Sequence, residues 1–290
     1  MTQAPSLIVT IVAQGAMGAG VAKRLTQNGV EVRTSLAGRS RASAERAAAA
    51  GMRDVEDAEL VAAQMVLSIV PPSEAIATVE RFAAICRKTG ARPLYADLNA
   101  VSPETAARVA QIAEAAGMTF ADGGIIGGPP REDGYNPAIY VSGAEAPRLS
   151  VLRERGGLDI RVIDGPVGAA SALKMSYAGI TKGLSALAST MMLAATRAGA
   201  AEALYAELSQ SQPQLLAWFQ RQVPTMYAKA YRWAGEMEEI ADFVGRDRAE
   251  SRIYDGAARL YEHLAGDYAG EKREIGMLEA FLKRGGKPHG

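Results

Sequence analysis

Histidine and cysteine are nearly absent: the 290 residues include two histidines, His263 and His289, and one cysteine, Cys86. A single thiol excludes an internal disulfide, and so few soft ligands argue against a dedicated zinc site, so no metal ligands are assigned. Excess charge is missing too. Lys plus Arg and Asp plus Glu both number 32, which removes any global attraction for nucleic acid or an acidic membrane surface. No basic residue precedes Lys23, so the apolar start MTQAPSLIVTIVAQG lacks the flank of a signal peptide and reads as a first strand. The most apolar helical run, Lys182 to Arg197, is too short and too rich in Ala, Ser and Thr to cross a bilayer. A soluble protein of the reducing cytoplasm, with no nucleic-acid or membrane partner, is expected.

Internal repeats, low-complexity linkers and long charge blocks are also lacking. What is present is alternation. Leu7–Val12 is a β-branched apolar run that enters the turn AQGAMGAG and then the helical VAKRLTQNG. Strands at Glu31–Leu36, Met65–Val70 and Leu94–Asp97 alternate with helices at Ser43–Ala50, Asp57–Ala63 and Ser73–Cys86, and Ser102-Pro103-Glu104 marks a further helix start. Thr119–Asp122, Ala138–Ser142 and Ile160–Ile163 read as later strands, the middle one as an antiparallel edge. This pattern predicts an α/β Rossmann fold, a doubly wound and mostly parallel sheet. From Val167 onward the pattern is all-α, with helices near 198–209, 213–222, 224–244, 248–265 and 270–284, broken at Ser211-Gln212-Pro213, Pro224, Gly245 and Gly266–Gly270. Aromatic residues cluster there (Trp218, Phe219, Tyr227, Tyr231, Trp233) as expected core, and the ending RGGKPHG reads as a frayed tail. A chain of this length exceeds the usual single core, so two domains are expected, 1–165 and 166–290.

The first turn carries a partial G-x-G-x-x-G pattern: Ala13 stands at the first glycine, while Gly15, Ala16, Met17 and Gly18 complete it. Such glycines let backbone N–H groups approach a pyrophosphate at a helix N-terminus. The turn alone also suits a flavin or an S-adenosyl group. At the end of the second strand no acid stands ready for the ribose hydroxyls of NAD; Gly38-Arg39-Ser40-Arg41 offers two guanidiniums and a hydroxyl to a phosphate, which favours NADP over NAD, the competing reading being a solvated basic loop. Val70-Pro71-Pro72 and Asp97-Leu98-Asn99 fall at carboxyl ends of parallel strands, so Val70, Pro71 and Asn99 are expected near a nicotinamide. The run Asp122-Gly123-Gly124-Ile125-Ile126-Gly127-Gly128-Pro129-Pro130 is too glycine-rich for a strand and offers bare amides to an oxyanion, structural turns being the alternative.

A long helix is expected within Gly165–Ala194. Leu173, Tyr177, Ile180, Leu184, Leu187 and Met191 form one apolar stripe that should be buried; Ser171, Lys174, Ala178, Thr181 and Ser185 form a neighbouring stripe of small and hydroxylated residues around one amine. A lone lysine on such a helix is ordinarily a snorkelling flank residue.

Gly15-Ala16-Met17-Gly18, the Asp122 loop, and Gly165-Pro166-Val167-Gly168 leading to Lys174 occur in the order found in the β-hydroxyacid dehydrogenase superfamily, which is similar to the N-terminal part of 6-phosphogluconate dehydrogenase. The phrases KMSYAGITKGL and WAGEMEEIADF resemble an uncharacterised bacterial branch of NAD(P)-dependent oxidoreductases with a helical C-terminal domain of unknown function. The resemblance covers nearly the whole chain. It implies a helical domain that makes homodimers and substrate chemistry in a cleft between the domains, with Lys174 as general acid/base and Asp122, Gly123 and Gly124 at the substrate. Two departures stand out: Ile126 replaces the serine that holds the substrate carboxylate, and Ala178 replaces the asparagine four residues after the lysine. Glu239 aligns with the acidic position of the superfamily's Lys-Asp-Leu segment. The resemblance thus implies an NADP-dependent dehydrogenase acting on a hydroxyl or carbonyl carbon of a small molecule. An imine reductase of the same architecture and a non-catalytic NADP-binding sensor or scaffold are the alternatives.

Overall fold

A computed structural model of the chain describes residues 6–284. His289 and the ending from Gly285 onward therefore lie outside the described residues. The chain divides into two compact units, Met1–Lys174 and Met175–Gly290.

The first unit opens with β1 (Ile8–Val12), α1 (Ala16–Gln27), β2 (Glu31–Thr34), α2 (Arg41–Ala49), β3 (Arg53–Asp54), α3 (Asp57–Val61) and β4 (Met65–Ser68). It continues with α4 (Ala75–Thr89), β5 (Leu94–Asp97), α5 (Pro103–Ala115), β6 (Thr119–Ile126), β7 (Ala138–Ser142), α6 (Val151–Glu154) and β8 (Asp159–Val162). All eight strands join one sheet in the order β3-β2-β1-β4-β5-β6-β7-β8, parallel except where β7 runs against β6. The order reverses at β1/β4, and the turns leaving those two strands flank the crevice where ligands bind in such sheets.

The apolar strands separate two cores. On one face Val9, Ile11, Leu67 and Leu94 pack with Val21 and Leu25 of α1 and Ala47 of α2. On the other, Val66, Tyr95 and Phe120 pack with Leu60 of α3, Phe82 of α4 and Val109 of α5. Helix starts follow local chemistry: the Ser102 hydroxyl accepts from Thr105 N–H, with Pro103 at the first helical position.

Two expectations about this unit change, and one strand is added. Ala138–Ser142 is antiparallel but internal, because β8 pairs with it in parallel and takes the edge. The two-residue β3, too short to leave a periodic trace, extends the opposite edge. Gly123, Gly124, Ile125 and Ile126 are strand, paired with Val141, Tyr140, Ile139 and Ala138. Glycine suits that strand for steric reasons. A Cβ on Gly123 would lie 2.5 Å from Leu98 Cδ2, and one on Gly124 would lie 2.9 Å from Lys174 Cβ.

α7 (Ala169–Arg197) runs from the first unit into the second, followed by α8 (Ala201–Ser211), α9 (Pro213–Met226), α10 (Ala230–Val244), α11 (Ser251–Ala269) and α12 (Arg273–Leu282). No strand follows β8 among the described residues. Pro224 sits in the last turn of α9 rather than at a break, and Gly266 lies inside α11, where one helical glycine costs only about 1 kcal/mol relative to alanine. Trp233 of α10 meets Tyr261 of α11 edge-on at 5.4 Å. Phe219, Tyr227 and Trp233 are buried, but Tyr231 faces solvent.

The apolar stripe of α7 reverses expectation. Leu173, Tyr177, Ile180, Leu184, Leu187 and Met191 are all exposed, Ile180 at 62% and Leu187 at 61%, whereas Ser171, Ala178, Ser185 and Ser189 are buried. Ser185 and Ser189 place their hydroxyls on carbonyls one turn back, which removes the penalty of burying them. The chain packs the small face inward and leaves the large apolar face outward. Among the described residues no helix is long and apolar enough to cross a membrane, and no group of three or more His, Cys, Asp or Glu is placed to hold a metal ion.

Candidate active site

The first turn keeps its geometry despite the missing glycine. Ala13 takes φ 75°, the left-handed conformation that favours glycine, at a cost of about 1–2 kcal/mol. Gly18 packs so closely that an added Cβ would run into the Ala13 carbonyl. Gly15 is the N-cap of α1 and supplies no side chain to the helix's first amides, and a Cβ built on it meets nothing within 4 Å. Exposed first-turn donors of this kind suit a pyrophosphate. Beside them Gln14, 3% exposed, donates through Nε2 to Thr34 Oγ1 and the Ser35 carbonyl, while its Oε1 has no partner among the described residues. A buried acceptor without a donor is costly, and a ribose hydroxyl would satisfy it. The turn therefore fits a dinucleotide.

The basic segment is not a loop throughout. Ser40 is the N-cap of α2, its hydroxyl accepting from Ser43 N–H, and Arg41 is the first helical residue, held by Glu45 at 2.8 Å. Arg39 stays in the connection and, with Gln14, Thr34 and Ser35, lines a cavity of about 10 Å³, room for about one water. Arg46, missed in the sequence because it lies in the second turn of α2, donates from Nε to the Gln14 carbonyl at 2.7 Å.

Three strands finish on a polar residue, MVLS, LYAD and AIYVS, and β6 carries Asp122 at the same level before running on to Ile126. The ladders place Ser68, Asp97, Asp122 and Ser142 side by side, and all four are buried. This row organises the site.

Asp122 was expected to touch substrate. Instead its Oδ2 accepts from Gly168 N–H (2.9 Å), Ser171 N–H (3.0 Å) and the Ser142 hydroxyl (3.0 Å), and its Oδ1 from the Ser171 hydroxyl (2.6 Å). Ser142 Oγ in turn accepts from Ala170 N–H at 3.0 Å. Together they cap α7 from the sheet, satisfying amides that a helix start leaves without partners. One turn beyond Ser171, Lys174 is half-buried and donates from Nζ to the Ile125 carbonyl of β6 at 2.6 Å.

Asn99, 3% exposed, accepts from Val70 N–H through Oδ1 (2.7 Å) and donates from Nδ2 to Ser68 Oγ (3.0 Å). It therefore braces the exits of β4 and β5; Val70 is half-buried and Pro71 exposed beside it. Asp97 accepts from Asn99 N–H at 2.9 Å, but its Oδ2 has no partner among the described residues. Burial, with the neighbouring Asp122 adding to it, pushes the Asp97 carboxyl up to about 7, against the pull of its bonds to Asn99.

The segment after β6 folds over α1. Gly128 N–H donates to the Tyr135 hydroxyl, Lys23 pairs with Glu132 at 2.7 Å, and Arg24 donates to the carbonyls of Arg131 and Tyr135. Its amides are therefore not all bare. Ile126 ends β6 half-buried. In the second unit Ala178 is buried and Glu239 half-buried on α10. That unit also holds an unanticipated pair, Lys182 with Glu236, beneath Trp233; burial pushes the lysine's pKa down despite its partner.

Residues 9–150 match the NAD binding domain of 6-phosphogluconate dehydrogenase, and residues 195–264 match a domain of unknown function, DUF1932. An uncharacterized 28.5 kDa protein of Methanothermus fervidus is 30% identical over 185 residues, 63% of this chain and 69% of that protein. The conserved protein MTH1747 of unknown function, whose structure resembles 3-hydroxyacid dehydrogenases, is 30% identical with a TM-score of 0.73, over 91% of this chain and 98% of that one. The 3-hydroxyisobutyrate dehydrogenase of Mycobacterium tuberculosis, solved with L-serine, shares the fold at 19% identity and a TM-score of 0.72, over 95% of this chain and 99% of that one. The chain thus belongs to the β-hydroxyacid dehydrogenase and 6-phosphogluconate dehydrogenase-like superfamily, in the branch that joins an NAD-binding Rossmann domain to the helical domain of unknown function.

Proposed function

We propose that this protein is an NADP-dependent oxidoreductase acting on a hydroxyl or carbonyl carbon of a small molecule, with Lys174 as general acid/base. The hydrogen bond from Lys174 Nζ to Ile125 carries the reading: it fixes a lysine at the carboxyl end of β6, on the same sheet as the dinucleotide turn. When bound, the nicotinamide supplies or accepts the hydride. In its neutral form Lys174 takes the hydroxyl proton of an alcohol; as an ammonium it donates that proton to the carbonyl oxygen on reduction. The Asp122 cap keeps α7, and so the lysine, in register with β6. Ile126 and Ala178 remove two polar handles for a small carboxylate, which favours a larger or less polar substrate. Lys174→Ala is expected to lower turnover by about 10²–10⁴-fold with NADPH binding retained; an unchanged rate would remove the lysine from the mechanism.

The same reading includes a homodimer through the helical unit, supported by its five exposed apolar side chains along α7, Tyr177, Ile180, Leu184, Leu187 and Met191. Sedimentation equilibrium of the intact protein tests it, a monomer at micromolar concentration being the adverse result.

A further inference from the structure

The basic residues after β2 are not equivalent. Arg41, 93% exposed, extends into solvent and pairs there with Glu45. Asp54 of β3 accepts Leu36 N–H at 2.8 Å and so is already engaged at the exit of β2. Arg46 differs from both. Its Nε is held by the Gln14 carbonyl and its Nη2 donates to Ser43 Oγ at 3.1 Å, with Ser40 Oγ 3.1 Å further along; no carboxylate pairs with it among the described residues. These two bonds fix the guanidinium plane at the start of α2, where a planar fork recognises a phosphate with little further loss of freedom. The turn that anchors it contains the buried Oε1 of Gln14, which has no partner among the described residues and is an acceptor suited to a ribose hydroxyl.

We propose that Arg46, with Arg39 and the Ser40–Ser43 pair, recognises the 2′-phosphate of NADP, and that Arg46 rather than Arg41 determines the preference over NAD. The inference rests on the NADP reading above. It adds a coupling: because Arg46 is hydrogen-bonded to the glycine turn, the same guanidinium that meets the 2′-phosphate steadies the backbone that meets the pyrophosphate.

Fluorescence titration of the intact protein with NADPH and NADH, alongside Arg46→Met, Arg46→Lys and Arg41→Gln, tests this. Arg46→Met is expected to weaken NADPH binding by about 10–100-fold and NADH binding by less than about threefold, as loss of a charge-assisted bond to one phosphate predicts. Arg46→Lys should recover part of the NADPH affinity, and Arg41→Gln should leave both cofactors unchanged. 2′,5′-ADP should raise the melting temperature of the parent but not of Arg46→Met. Equal losses for both cofactors would make Arg46 a brace of the turn only, and a retained NADPH preference would overturn the assignment. Should the parent itself bind NADH as well as NADPH, the NADP reading fails whatever Arg46 does.

Discussion

Asp97 and Asp122 sit side by side in one sheet, equally buried, and have opposite fates. Asp122 is surrounded by donors and draws two distant segments together, β7 and the start of α7. Asp97 has one backbone donor and an oxygen with no partner among the described residues. Burial strips a carboxylate of its hydration, and at Asp97, where few donors replace that hydration, burial raises the pKa. The difference therefore comes from donors rather than depth.

The largest expected effect follows at Asp122. Asp122→Ala leaves the Gly168 and Ser171 amides and two serine hydroxyls without their acceptor, at about 1–3 kcal/mol for each group left unsatisfied. A melting temperature lower by more than 10 °C is expected, on the scale of roughly 2–4 °C per kcal/mol for chains of this size. A change within a few degrees would show that the cap is dispensable.

Asp97 should move stability with pH instead. Its folded pKa is raised, so its contribution is complete below the ordinary value of 3.8 and is lost as pH rises through about 7. Asp97→Asn cannot ionise. Denaturant titrations should find the variant less pH-dependent than the parent between pH 5 and 8, and at pH 8 at least as stable, the gain being on the order of a few kcal/mol. An identical pH slope in parent and variant would place the titration elsewhere.

The smallest effect is expected at the end of the row. Ser142→Ala removes one donor to Asp122 and the acceptor for Ala170 N–H, at about 1–2 kcal/mol by chemical denaturation. An effect as large as that of Asp122→Ala would move the centre of the cap from the carboxylate to the hydroxyl.

Most strands and helix starts are legible because they depend on local signals: β-branched runs, Ser102-Pro103, glycines after helices; the order of the strands comes only from their pairing. The Asp122 cap is not legible, since its partners lie 20 to 49 residues away and no spacing rule reports so long a reach. Ser68, Asp97, Asp122 and Ser142 are visible in the sequence, but only the register shows that they form one row. In the sequence Gly123 and Gly124 look like loop because glycine is depleted from strands, and the neighbours that demand it, Leu98 and Lys174, are set by the fold. On α7 the periodicity correctly grouped six apolar residues, yet periodicity says which residues share a face, not what covers that face. Arg46 escaped because its partner is a carbonyl in another turn.

The cap on α7 also shapes how the protein opens. Helix ends ordinarily fray, and their first amides exchange with solvent through small local motions. Here the amides of Gly168, Ala170 and Ser171 are bonded to side chains rooted in β6 and β7. Opening this helix start therefore requires breaking bonds to the central sheet, and hydrogen–deuterium exchange of these three amides is expected to match that of β6 and β7, so that the beginning of α7 opens with the Rossmann domain.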